Sequence, residues 1–164
     1  TSIAKYFKRI YACEFLYKDG QAYWPKMAVN YTNKTQFVYR INKGVLDINN
    51  DVDLNNSRPD SEKRVFFSNM IYIGDGLTDI PCMKLVKERG GKSIAVYPEG
   101  NREHVKPLVE DARINYVCVA DYSPESPLEK IVKLMIEKMA ILEKLNMQEK
   151  EQLSQYKQGS TGGV

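Results

Sequence analysis

The chain has 164 residues, 43% of them hydrophobic and 27% charged, with a formal net charge of +3. This balance predicts a soluble globular domain large enough to bury its own core. No stretch approaches the roughly 20 apolar residues of a membrane span, and no basic stripe interleaves with aromatics, so membrane and nucleic-acid partners have no support.

Cys13, Cys82 and Cys118 are widely spaced and form no CxxC pair, which argues against a disulfide framework or a zinc site. The first residues, TSIAKYFKRI, carry three cations and no apolar run, so no signal peptide is expected. Together these features predict a cytoplasmic protein.

In chain order, Ser2–Lys8 reads as the end of a helix. Ile10–Leu16 and Ala22–Val29 read as two strands joined by a turn at Lys18-Asp19-Gly20-Gln21, because Asp-Gly between apolar runs is a strong hairpin signal. Pro25 demotes part of the second strand to an edge or a bulge. Tyr11, Phe15, Tyr23 and Trp24 are expected in the hairpin core. Asn33 with Gln36 three residues later predicts a capped helix start. Phe37, Val38, Ile41 and Val45 continue at helical spacing, and Gly44 supplies a stop. Asp47–Arg64 is polar and reads as a surface loop.

Val65–Ile73 contains the most buried strand expected in the chain. A helix follows from Ile80, tolerating Pro81 in its first turn, and ends at Gly90-Gly91. Ser93–Tyr97 is a strand, Asn101–Ala112 a short helix and Tyr116–Ala120 another strand. The alternation predicts an α/β fold with a parallel sheet and crossover helices. Pro127–Lys157 is expected to be one long helix. Its apolar seam (Leu128, Val132, Met135, Met139, Leu142) meets Asn146 and Glu149 before Leu153 and Tyr156, so its second half is either solvated or paired with another chain. Gln158–Val164 is a flexible tail by composition. The organisation expected is one domain over residues 1–157, with helix end and hairpin in 1–31, core in 32–122 and long helix in 127–157.

The segment Ile71–Asp79 (IYIGDGLTD) carries the chemistry. A strand that ends in Gly74-Asp75-Gly76-Leu77-Thr78-Asp79 places two carboxylates at the carboxyl end of a parallel sheet, where open α/β folds bind ligands. Two glycines allow close backbone approach. Asp75 and Asp79 are hard oxygen donors suited to magnesium, which prefers one or two carboxylates plus waters and phosphate oxygens. The bland alternative is a turn with Asp79 as a helix cap. Lys34 sits in the first turn of a predicted helix, where a cation opposes the macrodipole, and that local cost suggests another use. His104 has no Cys, His or Ser partner placed by sequence and reads as an ordinary residue at a helix start. Gly90-Gly91-Lys92-Ser93 mimics the end of a phosphate-binding P-loop, but Val86 stands where the first glycine is required and a strand follows where a helix is needed.

GDGLTD and the upstream lysine together resemble the haloacid dehalogenase-like (HAD) hydrolase superfamily, in its phosphoserine-phosphatase-like branch, over Thr32–Val119. GDGLTD resembles the fourth motif of that family, with Met83 in the following helix, and Lys34 resembles the third-motif lysine, with Lys43 as its competitor. The resemblance implies a Rossmann-like parallel sheet with flanking helices, here a partial HAD core carrying an N-terminal hairpin and a long C-terminal helix. It implies a magnesium-dependent phosphomonoesterase working through a phosphoaspartyl intermediate on a small phosphorylated metabolite. Asp75 and Asp79 would ligate Mg2+, Asp79 would orient a water or the lysine, and Lys34 and Gly76 would bind phosphate.

The first family motif, an Asp after an apolar strand, has no counterpart. Asp51-Val52-Asp53 has the spacing, but it lies in a polar loop beyond the lysine. The second motif, a Ser or Thr closing a strand, is absent as well. The chain therefore corresponds to the C-terminal portion of such an enzyme and is expected to be inactive alone. The alternative is a non-catalytic assembly module, pairing with a partner or another copy through an exposed sheet edge or the C-terminal helix.

Overall fold

Asp19 and Gly20 both adopt positive φ, 52° and 77°, the backbone that a two-residue hairpin turn requires. They join strand β1 (Glu14–Lys18) to β2 (Gln21–Met27) in antiparallel register, with Lys18 opposite Gln21 and irregularities on either side of Phe15 and Leu16. The computed structural model describes residues 3–159. Thr1, Ser2 and 160–164 lie outside it, and with them most of the expected tail. The helix end expected at Ser2–Lys8 is a 3-10 turn at Ala4–Tyr6.

The hairpin differs from expectation in its burial. Phe15, Tyr23 and Trp24 are exposed rather than forming a core, because neither face of the two strands is covered. Only Tyr11 packs inward. Its ring stacks on Phe37 at 4.6 Å and its hydroxyl donates to the Leu46 carbonyl.

Helix α1 (Lys34–Lys43) ends where Gly44 takes a left-handed conformation. Its start does not follow the expected capping box. The Asn33 side chain accepts from the Asn30 amide and donates to the Ala28 carbonyl, so it braces the preceding turn instead. The polar segment after α1 is also more ordered than expected. It holds a short helix, α2 (Asp51–Asn55), and a 3-10 turn at Asp60–Glu62. The cause is Arg40, only 1% exposed. Its guanidinium donates to the carbonyls of Asp47, Ile48 and Asn50 and pairs with Asp51. Lys43 adds bonds to the Leu54 and Asn56 carbonyls. One buried cation thus satisfies a row of loop carbonyls that would otherwise need water.

Beyond this segment the chain alternates strand and helix: β3 (Ile71–Gly74), α3 (Ile80–Glu88), β4 (Lys92–Tyr97), α4 (Lys106–Glu110) and β5 (Tyr116–Val119). The three strands form a parallel sheet in the order β3-β4-β5, with Ile71 opposite Lys92 and Gly74 opposite Ala95. The fold is α/β, with this sheet, the hairpin and one long helix, α5 (Pro127–Gly159).

The strand expected over Val65–Ile73 begins only at Ile71. Phe67–Asn69 is a 3-10 turn that buries Phe67 against the edge of Tyr39, since a short apolar run does not distinguish strand from turn. The buried strand is β4, whose Ser93–Val96 is sealed from solvent, whereas β3 lies at the sheet edge and leaves Ile73 39% exposed. The helix expected at Asn101–Ala112 is a 3-10 turn at Arg102–Val105 followed by α4.

The chain divides into two compact units, Thr1–Val117 and Cys118–Val164. In the first, Met83, Ala95, Val105, Leu108 and Ile114 form one core cluster, and Val38, Phe67, Cys82 and Val86 another. In the second, Ser126 accepts from the Glu129 amide at the start of α5, and Leu128 and Met135 are buried. Cys13 is exposed while Cys82 and Cys118 are buried, all three as free thiols. No helix among the described residues is long and apolar enough to cross a membrane.

Arg40→Ala removes the buried cation and leaves three carbonyls unsatisfied. Urea unfolding should show a loss of about 3 kcal/mol, with Asn42→Ala, which removes one bond to the Val65 carbonyl, costing less.

Candidate functional site

The site is assembled by two elements that meet at the end of β3. Lys34 opens α1, and its Nζ reaches Asp79 Oδ1 at 2.8 Å and Thr78 Oγ1 at 3.3 Å. The pair spans 45 positions of sequence. Its side chains are 27% and 9% exposed, so it is partly withdrawn from water and weakly screened. Tyr72, in the middle of β3, donates its hydroxyl to the same Asp79 oxygen at 2.7 Å.

Asp79 occupies the cap position of α3 but makes no side-chain bond to the helix amides. The bland reading of this residue as a helix cap therefore does not describe it. Its carboxylate turns away to Lys34 and Tyr72, while its own amide closes the loop on the Gly76 carbonyl at 3.0 Å.

The Asp79 carboxyl is subject to opposed forces. Burial raises its pKa. Hydrogen bonds from Lys34 and Tyr72, the Lys34 charge and the Gly76 backbone outweigh burial and hold it below the usual carboxylate range. Burial, reinforced by the Asp79 bond, pushes the Tyr72 phenol far above its ordinary value, so Tyr72 is a neutral donor. Burial also raises the Cys82 thiol beside them, which keeps it protonated and unreactive.

The two glycines of the loop act differently from each other. A Cβ at Gly74 would lie 2.8 Å from Asp79 Cβ and Cγ and 2.9 Å from Met83 Cε, so only glycine lets the strand end pass this close to α3. Gly76 is extended, φ −139° and ψ 168°, a backbone any residue adopts. A Cβ there would meet nothing nearer than 3.9 Å. Its value is the open space it leaves beside Asp79.

Asp75 is exposed, and its carboxylate makes no hydrogen bond or ion pair among the described residues. Its carbonyl accepts from His104 Nε2 at 3.0 Å. His104, read from sequence as an ordinary residue, thus ties the Arg102–Val105 turn to the carboxylate loop. Lys43, the competing lysine, is engaged with the Leu54 and Asn56 carbonyls and does not reach the loop. Asp51 and Asp53 belong to α2, held by Arg40 and Asn50.

Magnesium is the ion the resemblance implies. Among the described residues no three His, Cys, Asp or Glu side chains gather as a metal cage. Two hard carboxylates in one loop, one of them unengaged, fit the sparser need of magnesium, which draws the rest of its shell from water and phosphate oxygens.

Three participants were missed from sequence: Tyr72, Thr78 and His104. Tyr72 had a signal, since a tyrosine in an otherwise aliphatic strand needs a partner for its hydroxyl. Thr78 lies inside the motif. His104 had none, because its contact spans 29 positions.

A groove of about 540 Å³ is lined by Lys34, Tyr72 and Asp79 and by apolar residues of α1 and the start of β3, including Phe37, Val38, Met70 and Ile71.

No protein-family model matches the chain, and no solved structure matches it. It is similar to an uncharacterized protein of Borreliella burgdorferi, 26% identical over an alignment of 146 positions that covers 78% of this chain and 49% of the relative. The chain thus spans about half the length of the curated relative it matches.

Asp79 has its pKa lowered on folding, so its contribution to stability is present above the unfolded carboxyl pKa of about 4 and is lost as pH falls through the lower folded value. Asp79→Asn should cost about 1–2 kcal/mol at pH 7. The gap from wild type should narrow on acidification below about pH 4, as urea unfolding at stepped pH would measure.

Proposed function

We propose that this chain carries the cation-and-carboxylate half of a HAD-type, magnesium-dependent phosphomonoesterase of the phosphoserine-phosphatase-like branch. The observation that carries the reading is the 2.8 Å contact between Lys34 and Asp79 at the carboxyl end of a parallel strand, with Thr78 on the same ammonium. An ammonium fixed by a low-pKa carboxylate is preorganised to receive the oxygens of a transferring phosphoryl group.

The contacts support the following roles. Lys34 binds a phosphoryl oxygen and neutralises charge that develops on it. Asp79 holds Lys34 in position, and Tyr72 holds Asp79. Gly76 leaves room for the phosphate to approach, and Asp75 presents a carboxylate to the metal. Mg2+, when bound, supplies further positive charge at the phosphoryl group. The substrate class is a small phosphorylated metabolite.

The nucleophile of the phosphoaspartyl step comes from outside these 164 residues. Two features support this reading: β3 is an edge strand whose start helps to line an apolar groove that reaches Lys34 and Asp79, and the relative is about twice as long as the match. A strand laid along β3 would bring its own carboxyl end beside Lys34.

A second reading, a non-catalytic assembly module, is favoured by one observation. The hairpin carries uncovered Phe15, Tyr23 and Trp24, the kind of surface that marks an interaction site.

The purified chain should not turn over p-nitrophenyl phosphate. Magnesium-dependent turnover by the chain alone, abolished in Asp75→Asn, would contradict the partial-enzyme reading. Extended to a length comparable to the relative, the protein should hydrolyse phosphomonoesters with magnesium and lose about 10²–10³-fold in kcat on Lys34→Ala. A folded but inactive extended protein would favour the assembly reading.

A further inference from the structure

Helix α5 continues far past its buried stretch. Leu128 and Met135 are buried, but every residue from Ile141 to Lys157 is exposed, with Leu142 at 44% and Leu153 at 54%. The seam nevertheless continues. Met139, Leu142, Asn146, Glu149, Leu153 and Tyr156 alternate in steps of three and four, the spacing that keeps one face toward a partner helix.

This stripe is symmetric about the point between Met147 and Gln148. Reversed end for end, it meets itself in matching layers: Met139 opposite Tyr156, Leu142 opposite Leu153, and Asn146 opposite Glu149. The flanking charges match too. Glu143, beside Leu142, lies on the same flank of the seam as Lys150 of the reversed copy and within two positions of its level. Among the described residues neither Glu143 nor Lys150 makes an ion pair within the chain, so both charges are idle in a single copy.

We infer that residues 139–156 of α5 form an antiparallel two-helix interface with a second copy of this chain. Each such interface contains two Leu142–Leu153 layers. At its centre the Asn146 amide of each copy donates to the Glu149 carboxylate of the other. A Glu143–Lys150 ion pair closes each side. The charges decide the direction. A parallel pairing in register sets Glu149 against Glu149 in an apolar seam, which repels. Its flanking charges do not discriminate, since Glu143 would then lie beside Lys138, another cation. Antiparallel pairing removes the Glu149 conflict and still uses the symmetric charges. The interface is isologous and closes at two copies.

The test is sedimentation equilibrium of the full chain over a concentration range, with helicity checked by circular dichroism. The wild type should show a reversible monomer–dimer equilibrium. Leu142→Lys should be monomeric with its helix intact, since this side chain is exposed. Glu143→Lys and Lys150→Glu, each setting like charges across the seam, should each weaken the dimer about tenfold. The double variant E143K/K150E should restore wild-type affinity. A wild type that stays monomeric, a dimer indifferent to both single reversals, or a double variant that is not rescued would each overturn the antiparallel interface.

Discussion

The ion pair between Lys34 and Asp79 is the constraint on which the first compact unit turns. It joins the first residue of α1 to the end of the loop after β3, two places far apart in sequence. Each end is arranged at some local cost. A lysine at the start of α1 opposes the helix dipole, and Asp79 gives up the capping bond its position offers. Gly74 must lack a side chain so that Asp79 can lie against the strand end. Tyr72 contributes its hydroxyl from within the strand. These choices, each unfavourable or neutral for local structure, agree on one outcome: a fixed cation beside a carboxylate that stays ionised.

The sheet explains why this site stands open. β3 is an edge strand of the parallel sheet, and its start helps to line an apolar groove that reaches Lys34 and Asp79. Parallel strands are ordinarily covered on both faces and paired on both sides, and an open edge invites another strand. The proposed catalytic half and the open edge are therefore one feature seen from two directions. The Arg40 network serves this arrangement at a distance. By holding the segment after α1 against the helix, it fixes the polar connection between α1 and β3.

Much of this was legible in the sequence, for physical reasons that can be named. The hairpin turn followed from Asp19-Gly20, the stop of α1 from Gly44, the crossover order from the alternation of apolar periods, and the carboxylate loop from its place after a strand. What was not legible depended on long-range packing. Arg40 reads as one more surface cation of α1 until the loop folds over it, so the segment after α1 looked unstructured. The burial of β3 was overestimated because an apolar strand does not reveal how many neighbours it has. Phe15, Tyr23 and Trp24 looked like a core for the same reason. Within the site, which of Lys34 and Lys43 reaches the carboxylate loop needed the fold, since both lie on one helix, and His104 needed a contact no local pattern announces.

The most direct measurement is a solution NMR titration of the chain with inorganic phosphate, with and without Mg2+, following backbone amides and the Lys34 ammonium. Lys34, Asp75, Gly76 and Thr78 should shift together and saturably when both ions are present; Asp75→Asn should remove the magnesium dependence, and Lys34→Ala should remove the response. Shifts scattered over other lysines, or a response at the loop that is the same without magnesium, would contradict it.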